Sequence, residues 1–385
     1  MSRRACERGR VIEKALPVFN DPPGDDAWDE FNAPGEISRP SVRNRMRETR
    51  RTTETPAHIP MPGKKKDAAW VRRQAGYAAW TAQWLLRHRV SRNLYYYDGG
   101  IGDELLMTTV FHEMVKRGSA PPTFMSRYPG LFTHNPNVGR VLPWDPRILA
   151  LHAALGRDAI YPCYMYEKIA EADVHYCPPY PMVARMCKMC KVFGTVDIRP
   201  YFYLTDAEKQ AGGVVRRQVA IMSSGMSALH KHLNKQWFPK RYQAVVDALQ
   251  GQYDFVQIGD ASDPLLDGTL DLRGKTSLRE TAAILSRSRL FVGQIGFLMH
   301  LARAVDCRSV IVYGGREMPY QSGYTCNENL YTPLTCSPCW KENQCDFDRE
   351  CLQRIQPEHV LAAISRQMER AGEPLALDSY TILPE

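Results

Sequence analysis

The stretch NLYYYDGGIGDELLMTTVFHEMVKRG (93–118) decides how this chain is read. Leu94 to Tyr97 form an apolar, aromatic run that predicts a buried strand. Glycines at 99, 100 and 102 follow, and a helix begins near Asp103. A strand passing through glycines into a helix is the opening unit of an αβ sheet with parallel strands. Downstream the same alternation continues through TFMSRYP, VGRVLPW, an ADVHYCP strand at 172–178 and a helix from about Met182 to Phe193.

A polar joint, TDAEKQAGG (205–213), precedes a second series. QVAIMSSG (218–225) reads as a strand, KRYQAVVDALQG as a helix and YDFVQIGD (253–260) as a strand. LDLRGKTSLRETAAILSRSRLFVGQIGF supplies a turn, a helix and a strand, and RSVIVYGG (308–315) another strand. Ser277 and Glu280 stand at capping-box spacing and fix one helix start. The expected architecture is α/β, with two Rossmann-like halves at 67–204 and 214–356. Their cleft lies at the carboxyl ends of the strands. A final helix, PEHVLAAISRQMERAG, opens the segment 357–385 and is expected to pack back across the halves.

Upstream, AAWVRRQAGYAAWTAQWLLRHRV (68–90) carries Trp70, Tyr77, Trp80, Trp84 and Leu85 on or near one stripe, which predicts an amphipathic helix. It fits docking on the core or contact with a membrane surface. Residues 1–66 are rich in Pro and Arg with few aliphatic side chains, so they are expected to be disordered. They hold much of a net charge of +8 that would suit a solvated tail, anionic lipid or nucleic acid. No apolar run approaches the roughly 20 residues needed to cross a bilayer, and the first residues lack a signal-peptide pattern. A cytoplasmic location is expected, where eleven cysteines serve as thiols or metal ligands rather than disulfides.

Three stretches face the expected cleft. Gly102 allows close approach, and Asp103 at the helix start is either a helix-capping carboxylate or a general base. Lys235, just before the apolar anchor Trp237, is either a solvated charge or a partner for nucleotide phosphates. Gly296 and the helix start at Phe297 offer backbone N–H groups to an anion, with His300 in the first turn. CSPCWKENQCDFDREC (336–351) places Cys336, Cys339, Cys345 and Cys351 in one loop. Iron or zinc on four thiolates, unrelated buried thiols, and two disulfides are the alternatives. Cys187 and Cys190 read as incidental thiols on a helix face, and Cys163 and Cys307 as small core residues.

In order and spacing, GDELLMTTVFHEM, NKQWFPKRYQAVVDAL, LRGKTSLRETAAIL, FVGQIGFLMHLARAV with VIVYGG, and CSPCW…C…C followed by IQPEHVLAAI resemble the family 9 glycosyltransferases. These are heptosyltransferases that extend lipopolysaccharide or glycosylate autotransporters. The resemblance implies a GT-B fold and inverting transfer of a sugar from a nucleotide-sugar donor such as ADP-heptose, without a catalytic magnesium ion. Asp103 matches the family's base and Lys235 the residue that neutralises the leaving diphosphate. Gly296 and His300 match the phosphate loop, while Gly259, Asp260, Lys275 and Thr276 would border the nucleoside. A similar cysteine set holds iron in some autotransporter heptosyltransferases. Where the family has an Asp, a small hydroxyl residue and a Gly three positions before the His, this chain has Gln294, Ile295 and Gly296, four before His300. The sugar, the nucleoside and the acceptor (lipopolysaccharide-type, protein or small molecule) therefore stay open, as do peripheral membrane contact and homo-oligomerisation. A nucleotide-sugar epimerase or hydrolase of the same fold is a second reading. A metal-knuckle nucleic-acid binder is a third.

Overall fold

The computed structural model describes residues 68–87, 90–165, 167–169, 174–177, 179–225 and 231–384. The arm 1–66 lies outside them. Two units emerge, divided near residue 91. The first contains helix α1 (Ala68–Arg87), in which Tyr77, Trp80 and Trp84 follow one another with ring centroids 5.9 and 6.3 Å apart. Trp84 is buried, whereas Leu85, expected on the same stripe, is exposed. No described helix is long and apolar enough to cross a membrane.

The second unit runs β1 (Asn93–Tyr96), α2 (Ile101–Lys116), β2 (Thr123–Ser126), β3 (Arg140–Pro143), α3 (Pro146–Ala154) and β4 (Asp158–Ile160). Next come β5 (Glu167–Ile169), β6 (Val174–Tyr176), α4 (Met182–Met189) and β7 (Gly194–Asp197). A second series has α5 (Asp206–Ala211), β8 (Gln218–Ile221), α6 (Pro239–Leu249), β9 (Asp254–Gln257), β10 (Leu270–Asp271), α7 (Leu278–Arg287) and β11 (Leu290–Gln294). It ends with α8 (Phe297–Ala304), β12 (Ser309–Gly314), α9 (Pro319–Ser322), β13 (Glu328–Tyr331), α10 (Glu350–Gln353), α11 (Pro357–Glu369) and β14 (Ser379–Ile382).

Two wholly parallel sheets result, ordered β3-β2-β1-β4 and β10-β9-β8-β11-β12-β13. Strands of the larger sheet are covered on both faces, which is why they read as unbroken apolar runs. Successive residues point to opposite sides. Val219, Ile221, Leu290, Val292, Val310 and Val312 enter one core with Trp237 and Tyr242. Ala220, Phe291, Ile311 and Tyr313 enter the other, together with Leu105, Val110 and Phe111 of α2.

Four sequence expectations are corrected. The 172–178 strand is β6, and it pairs antiparallel with β5 in a separate two-stranded ribbon rather than joining the parallel sheet. The polar joint contains a capped helix, α5: Thr205 Oγ1 accepts from Glu208 N–H, and Glu208 Oε2 accepts from Thr205 N–H. The helix of 182–193 stops at Met189, with Cys190 as its cap. The final helix α11 packs on α6 and on β11 to β13. The element that returns to the first half is β14, antiparallel to β7. The described cysteines are all free thiols, which removes the disulfide alternative among them.

Candidate functional site

Parallel sheets gather their strand-to-helix loops at one edge, so residues far apart in sequence meet there. A cavity of about 470 Å³ opens at that edge of the larger sheet. Lys235, Gly259, Asp260, Thr276 and Gly296 line it, together with His232, Gln236, Gln294 and Ile101.

Each wall has a local cause. Gly259 has φ 135°, and a side chain there would run into the Asp263 carboxylate; that carboxylate accepts from Asp260 N–H at 2.9 Å. Asp260 accepts from the N–H and hydroxyl of Ser262, which holds it below the ordinary carboxylate range. Gly296, φ 144°, caps α8 with open space around it, leaving the first-turn N–H groups of that helix approachable. Thr276 precedes the Ser277–Glu280 capping box that the spacing predicts, and the box is present in full.

Gln294, the departure from the family pattern, is buried, and its Oε1 accepts from Trp237 N–H at 3.2 Å. Gln236 Oε1 accepts from Gly225 N–H at 2.8 Å. Gln294 ties the end of β11 to the residue after Gln236, and Gln236 ties the same turn back to the loop after β8.

Asp103 occupies the third position of α2, and its Oδ2 accepts from Gly100 N–H at 3.2 Å. Capping and chemistry are therefore compatible in one carboxylate. Burial raises its pKa to about 6; Lys235, the Gly100 N–H and Arg316 oppose that rise, and Glu317 adds to it. Lys235 is itself held below its ordinary pKa by burial, against the pull of Glu317. Asp103 and Lys235 thus lie within one another's field. Tyr97, Tyr161, Tyr164 and Cys163 also lie within the field of Asp103.

His300 is brought to this place but stands behind the wall. Its Nδ1 is 2.6 Å from Tyr324 Oη, and burial lowers its pKa to about 4, so at neutral pH it is uncharged. Gly102 does not line the cavity; a Cβ there would sit 3.5 Å from the Phe297 Cα, so this glycine lets the first turns of α2 and α8 meet. Lys275 is not in the lining either, because its Nζ bonds the Asp271 carboxylate at 3.0 Å and the side chain is largely exposed.

Sequence reasoning missed three charged groups. Glu317 follows β12 and contacts Lys235; Arg316 lies beside it. Their one signal is position, in a loop at a carboxyl strand end. Glu104, fully buried, accepts from the Ser126 hydroxyl and from Arg127 N–H at 2.8 Å, and burial raises it to about 7. It anchors α2 to the end of β2.

The four-cysteine loop adjoins the cavity. Asn234 N–H donates to Glu342 O, and its amide donates to Lys341 O and Gln344 O. Burial raises Cys339 and takes Cys351 up to about 11, and in both cases neighbouring sulfurs of the set add to the rise. Four thiols acting on each other in one loop are a donor set that fits a thiolate-bound ion. Their sulfurs are not gathered into a tight shell: among the described residues, the one group of ligand atoms all within 4.8 Å is His112, Glu113 and Asp197. In that group Lys116 and Arg117 already neutralise the carboxylates.

Residues 197–348 match the model of glycosyltransferase family 9 (heptosyltransferase). No curated protein matches the sequence. Among solved structures, E. coli ADP-heptose lipopolysaccharide heptosyltransferase II superposes with TM-score 0.55 at 14% identity, over 73% of this chain and 99% of that one. The iron-containing dodecameric glycosyltransferase TibC from enterotoxigenic E. coli gives 0.56 at 17%, over 72% and 76%. TibC in complex with ADP-D-β-D-heptose gives 0.55 at 16%, over the same shares. These likenesses establish the GT-B fold.

Proposed function

We propose that this chain, a family 9 heptosyltransferase-like glycosyltransferase, moves a sugar from a nucleoside-diphosphate donor to an acceptor hydroxyl with inversion at the anomeric carbon. One observation carries the reading: a 470 Å³ cleft places Lys235 and the open start of α8 along one wall, with the Asp103 carboxylate in the field of that lysine. In this scheme the half at 214–356 holds the donor and the half at 67–204 receives the acceptor. The diphosphate lies against Lys235 and the α8 N–H groups, and the nucleoside extends toward Gly259, Asp260 and Thr276. Asp103 takes the proton of the acceptor hydroxyl as its oxygen attacks, and the departing charge falls on Lys235 and the helix start. Those groups supply the positive charge at the leaving group, so the transfer runs without a catalytic metal. His300, neutral and fixed by Tyr324, contributes a hydrogen bond rather than charge.

The donor class follows the structural neighbours, one of which is TibC in complex with ADP-D-β-D-heptose. Cys336, Cys339, Cys345 and Cys351 would hold a structural iron or zinc ion whose role is to fix the loop beside Asn234. Free thiols suit the cytosol. Thermal-shift measurements against ADP-, GDP- and UDP-sugars test the reading. ADP-heptose is expected to raise the melting temperature most, and no shift with any nucleotide sugar overturns it.

A further inference from the structure

Lys235 has a carboxylate partner at the cleft. Its Nζ lies 2.5 Å from Glu317 Oε1, and the two side chains are 18% and 3% exposed. Arg316 brings a second cation to the same oxygen, with Nη1 at 3.7 Å. Burial by itself would raise the Glu317 pKa, but Lys235 and Arg316 bring it down to about 2, so the carboxylate is ionised at neutral pH. Its charge reaches Asp103 and His300 as well.

The backbone that carries Glu317 is fixed from the cysteine loop. Cys339 N–H donates to Gly315 O at 3.0 Å and Trp340 N–H to Arg316 O at 2.9 Å, while the Arg316 guanidinium lies 5.0 Å from the Trp340 ring centre. The turn before Glu317 is thereby held beside Lys235, with the carboxylate buried on it. An anion arriving at Lys235 therefore competes with an anion already there.

We propose that Glu317 is a positioning residue that holds Lys235 at the cleft, and that the donor's diphosphate competes with it for the lysine, so that Glu317 tunes nucleotide affinity. The inference rests on the nucleotide-sugar reading above. Its sign separates it from a merely structural role. Taking away a scaffold carboxylate weakens binding, whereas taking away a competing one strengthens it. With the carboxylate gone, the product diphosphate also leaves Lys235 more slowly.

Calorimetric titration of the full chain with ADP tests this, alongside steady-state transfer kinetics. Glu317→Gln is expected to bind ADP about tenfold more tightly, with donor KM and kcat falling together. Glu317→Asp keeps the charge but shortens its reach, and a gain of roughly threefold is expected. In a Lys235→Met background, adding Glu317→Gln should bring no gain, because the competition is gone. Unchanged or weaker ADP binding in a Glu317→Gln protein that melts like the wild type overturns the inference. If that variant fails to fold, Glu317→Asp decides by the same criterion. Failure of the wild type to bind ADP overturns the nucleotide reading and this inference with it, whereas wild-type binding without a gain overturns this inference alone.

Discussion

Asp103 combines two demands on one carboxylate. As a helix-start acceptor it satisfies the Gly100 N–H, and as a half-buried anion it has a pKa raised to about 6 by loss of solvent. The folded-state value exceeds the ordinary 3.8, so ionisation disfavours the folded chain as pH rises from 3.8 through about 6. Asp103→Asn lacks that cost. It is expected to fold, to melt somewhat higher than wild type at pH 7, and to lose transfer by about a thousandfold. In the wild type, transfer should rise between pH 5 and 7 with a midpoint near 6 and then level, as the base loses its proton. Melting curves and single-turnover rates across that range check both halves, and an unaltered rate in the variant would remove Asp103 from the chemistry. Asp103 was legible in GDELL because a carboxylate in a helix's first turn is a local signal. Glu317 was not, since nothing in GREMP announces that its carboxylate meets a lysine 82 positions earlier.

Among the elements, α2 and α8 do most to shape the cleft. Gly102 permits their first turns to touch, which brings Asp103 toward the open start of α8. The sequence marked the glycine as a place where a ligand or another backbone comes close, and it is the backbone of α8 that does so. The loop at 336–351 acts through the turn that carries Lys235. Asn234 bonds three of its carbonyls, and Leu233 N–H donates to Asn343 Oδ1 at 3.0 Å, so the loop's shape is passed directly to the turn that carries Lys235. Cys336→Ser is accordingly expected to lower bound metal and, by loosening the loop that holds Asn234, to weaken ADP binding roughly tenfold. Elemental analysis of the purified protein paired with ADP titration decides it. Wild-type protein without metal, or a variant with unchanged metal, counts against the assignment. Capping boxes were the most readable element signals: Ser277 with Glu280 was anticipated, and Thr205 with Glu208 has the same spacing inside what looked like a joint.

For the second unit as a whole, the last residues strap its two series together. Asp378 O accepts from Ile198 N–H at 2.7 Å, its carboxylate accepts from Thr325 N–H at 3.0 Å, and Ala376 O accepts from the buried Arg303 at 3.2 Å. Deleting residues 376–385 removes these bonds and the β14–β7 ladder. The melting temperature should fall by roughly 5–10 °C in calorimetry, and an unchanged melt would show that the strap is not part of the cooperative unit. The alternation of strands and helices, the parallel character of the buried runs and the order of the motifs were all legible along the chain. Those features arise from near-neighbour physics: side-chain periodicity, glycine conformation and capping geometry. Only the tertiary structure decided that Glu317 faces Lys235, that Gly102 serves a helix contact, that β6 leaves the main sheet, and that the tail rather than α11 returns to β7. Apart from β6, which pairs with the neighbouring β5, each of these joins residues about eighty to nearly two hundred positions apart. Such a pairing is selected by the packing of the whole chain and leaves no periodic mark on either partner.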